Sequence, residues 1–432
     1  MRVVITNIVA LNGGDAAILY GTLRALRRAL GEECRVVAFA THPRRCRELF
    51  PEVEWRETLG LLATRSRPLR FVGRFVRAAR CARFLAAAWC QAHGLPAVAK
   101  GLLPPDAWES LACYAEADAI ISSGGTYLKE EYGVLSQLID YRIALLLRRP
   151  LAFFTQSLGP FTTPRVRRAL ARVFTRSACV LLRDERSLAH LQALGVPAAK
   201  LHLCADAAFA LAEPARLQQA LARPFPQGPR LRVAYSIRAW AHFAATAQAE
   251  GMECYLQGIA ASLSHLVQAH GAEVTFLSTC QGVQEYDDDS RLAEQLVRRL
   301  DARTAAAVRV THRFRRFDEL IDELSTFDVS ICTRMHMCIL SLLAGLPVLP
   351  IAYEFKTLEL FRSFGLEEWV LAMEGLTPAA LTAHIDRFVA AAPALRETLV
   401  AGTLRAHEDA LHAASYIVDK IPGGSPGISM PG

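Results

Sequence analysis

The chain has 432 residues, 52% of them hydrophobic and 21% charged, with a formal net charge of +7. That length fits two domains or one large α/β domain, and the apolar fraction excludes a disordered chain. The charge is local: residues 58–105 hold seven Arg, one Lys and no acid, and outside them 41 basic side chains face 42 acidic ones, which argues against a general polyanion-binding surface.

Residues 3–8 open the chain as a near-continuous apolar run, which predicts a strand buried on both faces. One basic residue, an interruption at Thr6 and Asn7 and no small-x-small cleavage pattern distinguish it from a signal peptide. A helix from about 15 to 30 and a strand over 35–40 follow. In the basic segment, Arg67, Arg70, Arg74 and Arg77 recur at three- and four-residue spacing and share a helical face. Phe71, Val72, Phe75, Val76 and Phe84 supply apolar surface beside them. Three readings fit: a helix packed on its own domain with a solvated Arg face, a pyrophosphate site, or peripheral contact with an anionic membrane. Nucleic-acid binding is not expected, because no aromatic-interleaved motif accompanies the charge.

Strands are predicted over 119–122, 151–155, 179–182 and 201–204, each with an amphipathic stretch after it. From 211 to 230 the pattern lapses into Pro214, Pro224, Pro226, Gly228 and Pro229, which reads as a linker. Alternation restarts at 232–236, 274–278, 308–311, 328–332 and 348–351. A helix is predicted over 337–344. Residues 377–418 read as helical, closing the second domain or crossing back. The tail from 421 reads as disordered. The expected architecture is α/β: two Rossmann-like domains with parallel, doubly wound sheets facing a cleft. They span 1–212 and 231–420, with a linker at 213–230.

The uncharged stretch 337–353 contains Ser341, Gly345, Pro347 and Pro350, so it cannot span a bilayer as a ~20-residue helix. Eleven cysteines are scattered without a C-x-x-C pair, which reads as reduced thiols in the cytoplasm. His336 and Cys338 lack a third ligand, and no metal is expected.

In open α/β sheets, ligands bind at the carboxyl ends of strands. There the chain places Asn12-Gly13-Gly14-Asp15, Ser122-Ser123-Gly124-Gly125, Gln156-Ser157, Arg183-Asp184, Asp206, Ser236-Ile237-Arg238, Thr333-Arg334-Met335-His336 and Tyr353-Glu354-Phe355-Lys356. The glycines alone could be tight turns, and neither dinucleotide nor P-loop fingerprints occur. Arg334 at a helix start suits a phosphate or carboxylate, and His336 can move a proton near neutral pH. The structural alternative for Arg334 is a pair with an Asp, for instance Asp328. Asp287-Asp288-Asp289 reads as a solvated loop or helix start.

This ordered set resembles the polysaccharide pyruvyl transferase family. The resemblance rests on 12–15, 118–125, 156–161, Arg183-Asp184-Glu185-x-Ser187, Asp206-x-x-Phe209, Ser236-x-Arg238, Arg334-x-His336 with Gly345-x-Pro347, and Tyr353-x-x-Lys356. It implies a glycosyltransferase-B-like fold and transfer of pyruvate from phosphoenolpyruvate to two hydroxyls of a sugar, forming a ketal and releasing phosphate. The acceptor would be a cell-surface polysaccharide or its lipid-linked precursor. The resemblance puts Arg183, Arg334, His336 and Lys356 where the donor is held or protons move. Asn12, Asp15, Gly124, Gly125, Ser157 and Arg238 are the expected substrate contacts. No cofactor is implied beyond the donor itself, and the work would be done in the cytoplasm or on the inner face of the plasma membrane. The competing reading in the same fold is glycosyl transfer from a nucleotide sugar, which needs an acidic residue for the ribose; Glu354 is the candidate.

Overall fold

The computed structural model describes residues 1–65, 73–130, 133–226 and 230–421. By its contacts the chain divides into two compact units. One comprises Met1–Ala10, Asp15–Ala210 and Glu408–Gly432, the other Leu11–Gly14 and Leu211–His407.

The first unit is built on seven parallel strands: β1 (Arg2–Ile8), β2 (Arg35–Ala40), β3 (Glu54–Glu57), β4 (Ala119–Ser122), β5 (Leu151–Gln156), β6 (Cys179–Leu182) and β7 (Leu201–Leu203). Their spatial order is β3-β2-β1-β4-β5-β6-β7. The central strands are buried along almost their whole length, because helices cover both faces. Aromatic side chains fill the space beneath those helices, with Phe39 edge-on to Tyr114 at 4.9 Å and Tyr141 tilted on Phe153 at 4.9 Å.

The second unit repeats the plan with six parallel strands: β8 (Arg232–Ser236), β9 (Glu273–Phe276), β10 (Val308–Val310), β11 (Val329–Cys332), β12 (Val348–Ala352) and β13 (Leu371–Ala372). Their order is β10-β9-β8-β11-β12-β13. In each sheet the order reverses once, between β1 and β4 and between β8 and β11. Those two switch points are where this class of sheet opens for a ligand.

Most predicted strands are present within a residue or two. The two that the sequence does not announce, β3 and β13, are edge strands. Glu54-Trp55-Arg56-Glu57 buries only Trp55, and β13 has two residues, so neither shows an apolar run.

The Pro-rich stretch read as a linker contains a helix, Pro214–Ala222, with proline in its first turn and Leu217 buried. The helix predicted over 337–344 is Met335–Leu343, starting one residue after Arg334. The basic segment lies within the β3-to-β4 crossover as helices Leu59–Thr64, Gly73–Ala92 and Pro96–Leu102. Arg67, Arg70, Phe71 and Val72, and the tail beyond 421, lie outside the described residues. All eleven cysteines are free thiols, and only Cys254 is exposed. Among the described residues, no helix is long and apolar enough to cross a membrane.

Candidate active site

In the first unit, the strand ends carry hydroxyls, amides, the Arg183–Asp206 pair and two further aspartates, Asp15 and Asp184. The Gln156 amide lies at the end of β5, where its Nε2 donates to Ser123 O at 2.6 Å and lies 3.0 Å from Ser122 Oγ and 2.8 Å from the Tyr127 hydroxyl. Its Oε1 is buried without a partner among the described residues. Ser122 also shares a hydrogen bond with Tyr141 at 2.9 Å.

Gly125 has φ 123°, a region that favours glycine, and a side chain there would press on Asp15 Oδ1 at 3.2 Å. At Gly124 a Cβ would strike Ile18 at 2.7 Å and the Phe154 carbonyl at 3.0 Å. So both glycines are required by close packing, and they bring the β4 end against the helix Gly13–Leu30 that carries Asp15.

Arg183, at the end of β6, donates from Nε to Ser157 Oγ at 2.8 Å and forms an ion pair with Asp206. The two side chains are 4% and 3% exposed. The remaining Arg183 nitrogen, Nη2, is buried without a partner among the described residues. Asp184 caps the following helix, accepting from Ser187 N at 2.7 Å, so its role is to start that helix.

In the second unit the strand ends gather cations. Arg334 caps β11 and is held by Asp289 through two donors, Nε and Nη2, the latter at 2.7 Å. Burial opposes its charge, but the Asp289 carboxylate outweighs burial and keeps the guanidinium protonated well beyond its ordinary range. Ser278 donates a further hydrogen bond to Asp289. Asp289 opens helix Asp289–Val297, as the helix-start reading of the aspartate run had it, but it is buried rather than solvated. Asp328 is not the partner of Arg334, which corrects that expectation. Asp328 instead binds Arg223 at 2.9 Å and Arg232 at 3.0 Å. Asp289 is separated from the β9 end by a loop and stands beside Asp287 and Asp288, so its pairing with Arg334 leaves no local signal in the sequence.

His336 lies on the first turn of helix Met335–Leu343. The tetrapeptide Leu11–Gly14 belongs to this unit, with Gly13 N donating to Thr279 O at 2.8 Å. A side chain at Gly14 would lie 2.5 Å from His336 Cβ and 2.6 Å from Nδ1, so only glycine leaves the imidazole its place. Asn12 accepts from Gly14 N at 3.0 Å and shapes this turn.

Lys356 stands in the first turn of helix Phe355–Ser363 and pairs with Glu354 at 3.0 Å. Arg238, beyond β8, stacks 4.2 Å from the Tyr353 ring centre and 5.1 Å from Trp240. Lys356 Nζ is 5.2 Å from the same tyrosine ring. Burial acts to raise the Tyr353 phenol, but Lys356, Arg238 and Arg334 together outweigh it, and its pKa falls below the ordinary tyrosine range. Arg238 and Lys356 are thus brought against one phenol at the ends of β8 and β12, and the charge of Arg334, at the end of β11, acts on the same group. Tyr353 is the member of this group that was not assigned a site role from sequence; it lies between the two residues, Arg334 and Lys356, that were.

A separate cluster could hold a divalent metal. His265 and His270 Nε2 lie 2.6 and 2.7 Å from Asp386 Oδ1, and the three ligand atoms fall within 4.8 Å. It sits on helices Gln248–His270 and Pro378–His412, with His270 just before the start of β9 rather than at a carboxyl strand end, and its parts are too far apart in sequence to form a motif.

A family model described as polysaccharide pyruvyl transferase matches residues 12–354. The amylovoran biosynthesis protein AmsJ of Erwinia amylovora is 26% identical over 289 residues, covering 62% of this chain and 65% of that protein, so the chain matches just under two thirds of the curated relative. Among solved structures, a glycosyltransferase from Rickettsia africae ESF-5 aligns with a TM-score of 0.57 at 10% identity, over 98% of this chain and 99% of its own. Anabaena Alr3699/HepE in complex with UDP-glucose aligns at 0.55 and 12%, over 97% and 98%. The UDP-GlcNAc 2-epimerase from Methanocaldococcus jannaschii aligns at 0.54 and 10%, over 90% and 93%. These likenesses carry the fold, two Rossmann-like domains of the glycosyltransferase-B-like class. The match across residues 12–354, which takes in every strand end described above except the last turn at Lys356, shows that the chain belongs to the polysaccharide pyruvyl transferase family.

Proposed function

We propose that the protein transfers the pyruvyl group of phosphoenolpyruvate onto two hydroxyls of a sugar in an exopolysaccharide or its lipid-linked precursor, forming a ketal. The observation that carries this reading is the grouping of Arg238, Arg334 and Lys356 around Tyr353 at two helix starts. A carboxylate and a phosphate on one three-carbon frame need that density of donors. Two of the three cations already have carboxylate partners, Asp289 and Glu354, which hold their geometry before the donor arrives.

In this reading His336 protonates the donor's methylene carbon, leaving an oxocarbenium-like centre at C2. One sugar hydroxyl adds there and gives its proton to the His336 imidazole, which restores the acid. The second hydroxyl then forms the other C–O bond as the bond to phosphate breaks, and its proton leaves with the inorganic phosphate. Arg334, Arg238 and Lys356 stabilise the negative charge that gathers on the departing phosphate. In the first unit, Arg183 has its own open donor, Nη2, to offer an anionic group. Asp15, Ser157 and the Gln156 carbonyl offer acceptors for sugar hydroxyls.

The test is incubation with phosphoenolpyruvate and a panel of free and lipid-linked sugars, following phosphate release and mass gain of the acceptor. Stoichiometric phosphate and pyruvylated product are expected. Turnover of a UDP-sugar with no use of phosphoenolpyruvate would replace this reading with glycosyl transfer.

A further inference from the structure

The helix Gly73–Ala92 is turned the wrong way for a helix that faces only water. Its inner side buries Cys81, Phe84, Ala87 and Ala88. On the opposite side Phe75, Ala79, Ala82, Ala86 and Trp89 recur at four-three-four-three spacing and form one exposed stripe. Phe75 is 79% exposed and Trp89 49% exposed. An outward helix face is ordinarily polar, and two half- or largely exposed aromatic rings at the ends of such a stripe, Phe75 at one and Trp89 stacked on His93 at 4.2 Å at the other, are a cost that needs a partner. Leu95 and Val98, exposed on the adjoining helix Pro96–Leu102 and its approach, extend the apolar surface.

The charges beside the stripe state the partner's chemistry. Exposed Arg74 and Arg83 flank it, Arg77 and Arg80 follow the same helix, and Lys100 stands on the next one. Arg80 donates to the Arg65 carbonyl at 2.7 Å and Arg83 to the Leu102 carbonyl at 2.7 Å, so neither charge is neutralised. No carboxylate occurs between 58 and 105, and among the described residues none forms an ion pair with these five cations. Apolar rings set among arginines suit a surface that is negative at its headgroups and apolar just beneath them. An acidic protein would satisfy the charges and leave the rings in water.

We propose that the outer face of helix Gly73–Ala92, with the adjoining Leu95, Val98 and Lys100, docks the protein on an anionic lipid bilayer. Phe75 and Trp89 enter the headgroup boundary and the arginines meet lipid phosphates. This rests on the helix alone and not on the donor chemistry, so it can fail while the proposed transfer stands.

The test is flotation of the full chain with pure phosphatidylcholine vesicles and with vesicles containing one quarter phosphatidylglycerol, at low and high salt. Binding to the anionic vesicles alone, weakened by salt, is expected. Each basic side chain near such a surface contributes roughly fivefold to partitioning. Arg74→Glu with Arg83→Glu should therefore reduce binding at least tenfold, and Phe75→Ser with Trp89→Ser should weaken it with little change in salt dependence. Phosphate release on a water-soluble acceptor should be unchanged in both, which also reports an intact fold. Equal binding to neutral vesicles, no binding to either, or a dimer in sedimentation that Phe75→Ser with Trp89→Ser dissociates would overturn the proposal.

Discussion

The two sheets share one strand order, yet their carboxyl edges differ in chemistry. The first edge is a hydrogen-bonded network of Ser122, Gln156, Tyr127 and Ser157, with one arginine paired with Asp206 and with Asp15 and Asp184 at the helix starts beside it. The second is cationic and aromatic: Arg238, Arg334 and Lys356 around Tyr353. Topology decides where a ligand can sit, because both edges follow from the reversal of strand order. The few residues after each strand decide what it can be. A hydroxyl network reads a sugar, and a set of guanidinium and ammonium groups reads a small polyanion.

The largest expected effect tests the second edge. His336→Asn keeps a polar side chain at that position but removes the proton relay, and the turnover rate should fall about a thousandfold with donor KM little changed. Single-turnover phosphate release checks this; retention of the wild-type rate would leave the edge as a binding site with the acid elsewhere. Next come the two buried pairs. Asp289→Asn and Asp206→Asn each strand a buried arginine, and each should lower the unfolding free energy by about 3 kcal/mol in urea titrations. They should part in kinetics. Asp289→Asn frees an arginine amid other cations and should raise donor KM at least tenfold, whereas Asp206→Asn disturbs only one open donor and should raise it less. Equal rises would erase the distinction between the edges.

Much of this was legible in sequence because parallel strands buried on both faces leave continuous apolar runs, and the residues after them name the edge. Arg334, His336, Lys356 and Arg238 were found that way. Edge strands β3 and β13 were not, since an edge strand needs no long apolar run. Asp289 was missed because its value lies in a pairing 45 residues away, which no local pattern records. The glycines were read as turns or ligand contacts; Gly14 and Gly124 are also constrained by what would collide with a side chain, a property of packing alone. Phe84 and Phe75 looked equivalent in the basic segment, but one faces the core and the other faces out.

A smaller effect lies beneath the first edge. Asp140 is buried, with Oδ1 accepting from Gly60 N at 2.9 Å and Oδ2 without a partner among the described residues. Burial raises its pKa to about 7, and the hydrogen bonds from Gly60 and Tyr114 only moderate that. The folded state therefore favours the protonated acid, whose contribution is full at low pH. That contribution is lost as pH rises from the ordinary carboxylate range through about 7, with a slope of at most about 1.4 kcal/mol per pH unit. Asp140→Asn cannot ionise, so its stability relative to wild type should rise between mildly acidic and mildly alkaline buffer and then level off. Parallel denaturation curves at all pH values would show that Asp140 titrates normally.

The smallest effect bears most directly on what separates the two edges. Arg238 is the cation of the second edge with no carboxylate partner among the described residues; its Nε donates to the Ala239 carbonyl at 3.1 Å and its plane rests against Tyr353 and Trp240. It is partly exposed, so Arg238→Gln should change stability by less than about 0.5 kcal/mol. If the edge exists to receive an anion, the uncompensated charge matters more for binding than for folding, and donor KM should rise about tenfold. Arg238→Lys separates the two parts of that contribution: it restores charge but not the planar stack, so affinity should recover only in part, because a compact ammonium cannot lie flat on two rings and present a fork to a phosphate. Full recovery by lysine would mean that charge alone selects the ligand. No recovery would mean that the stack on Tyr353 positions it, which would shift the weight of the second edge from its cations to its aromatic floor.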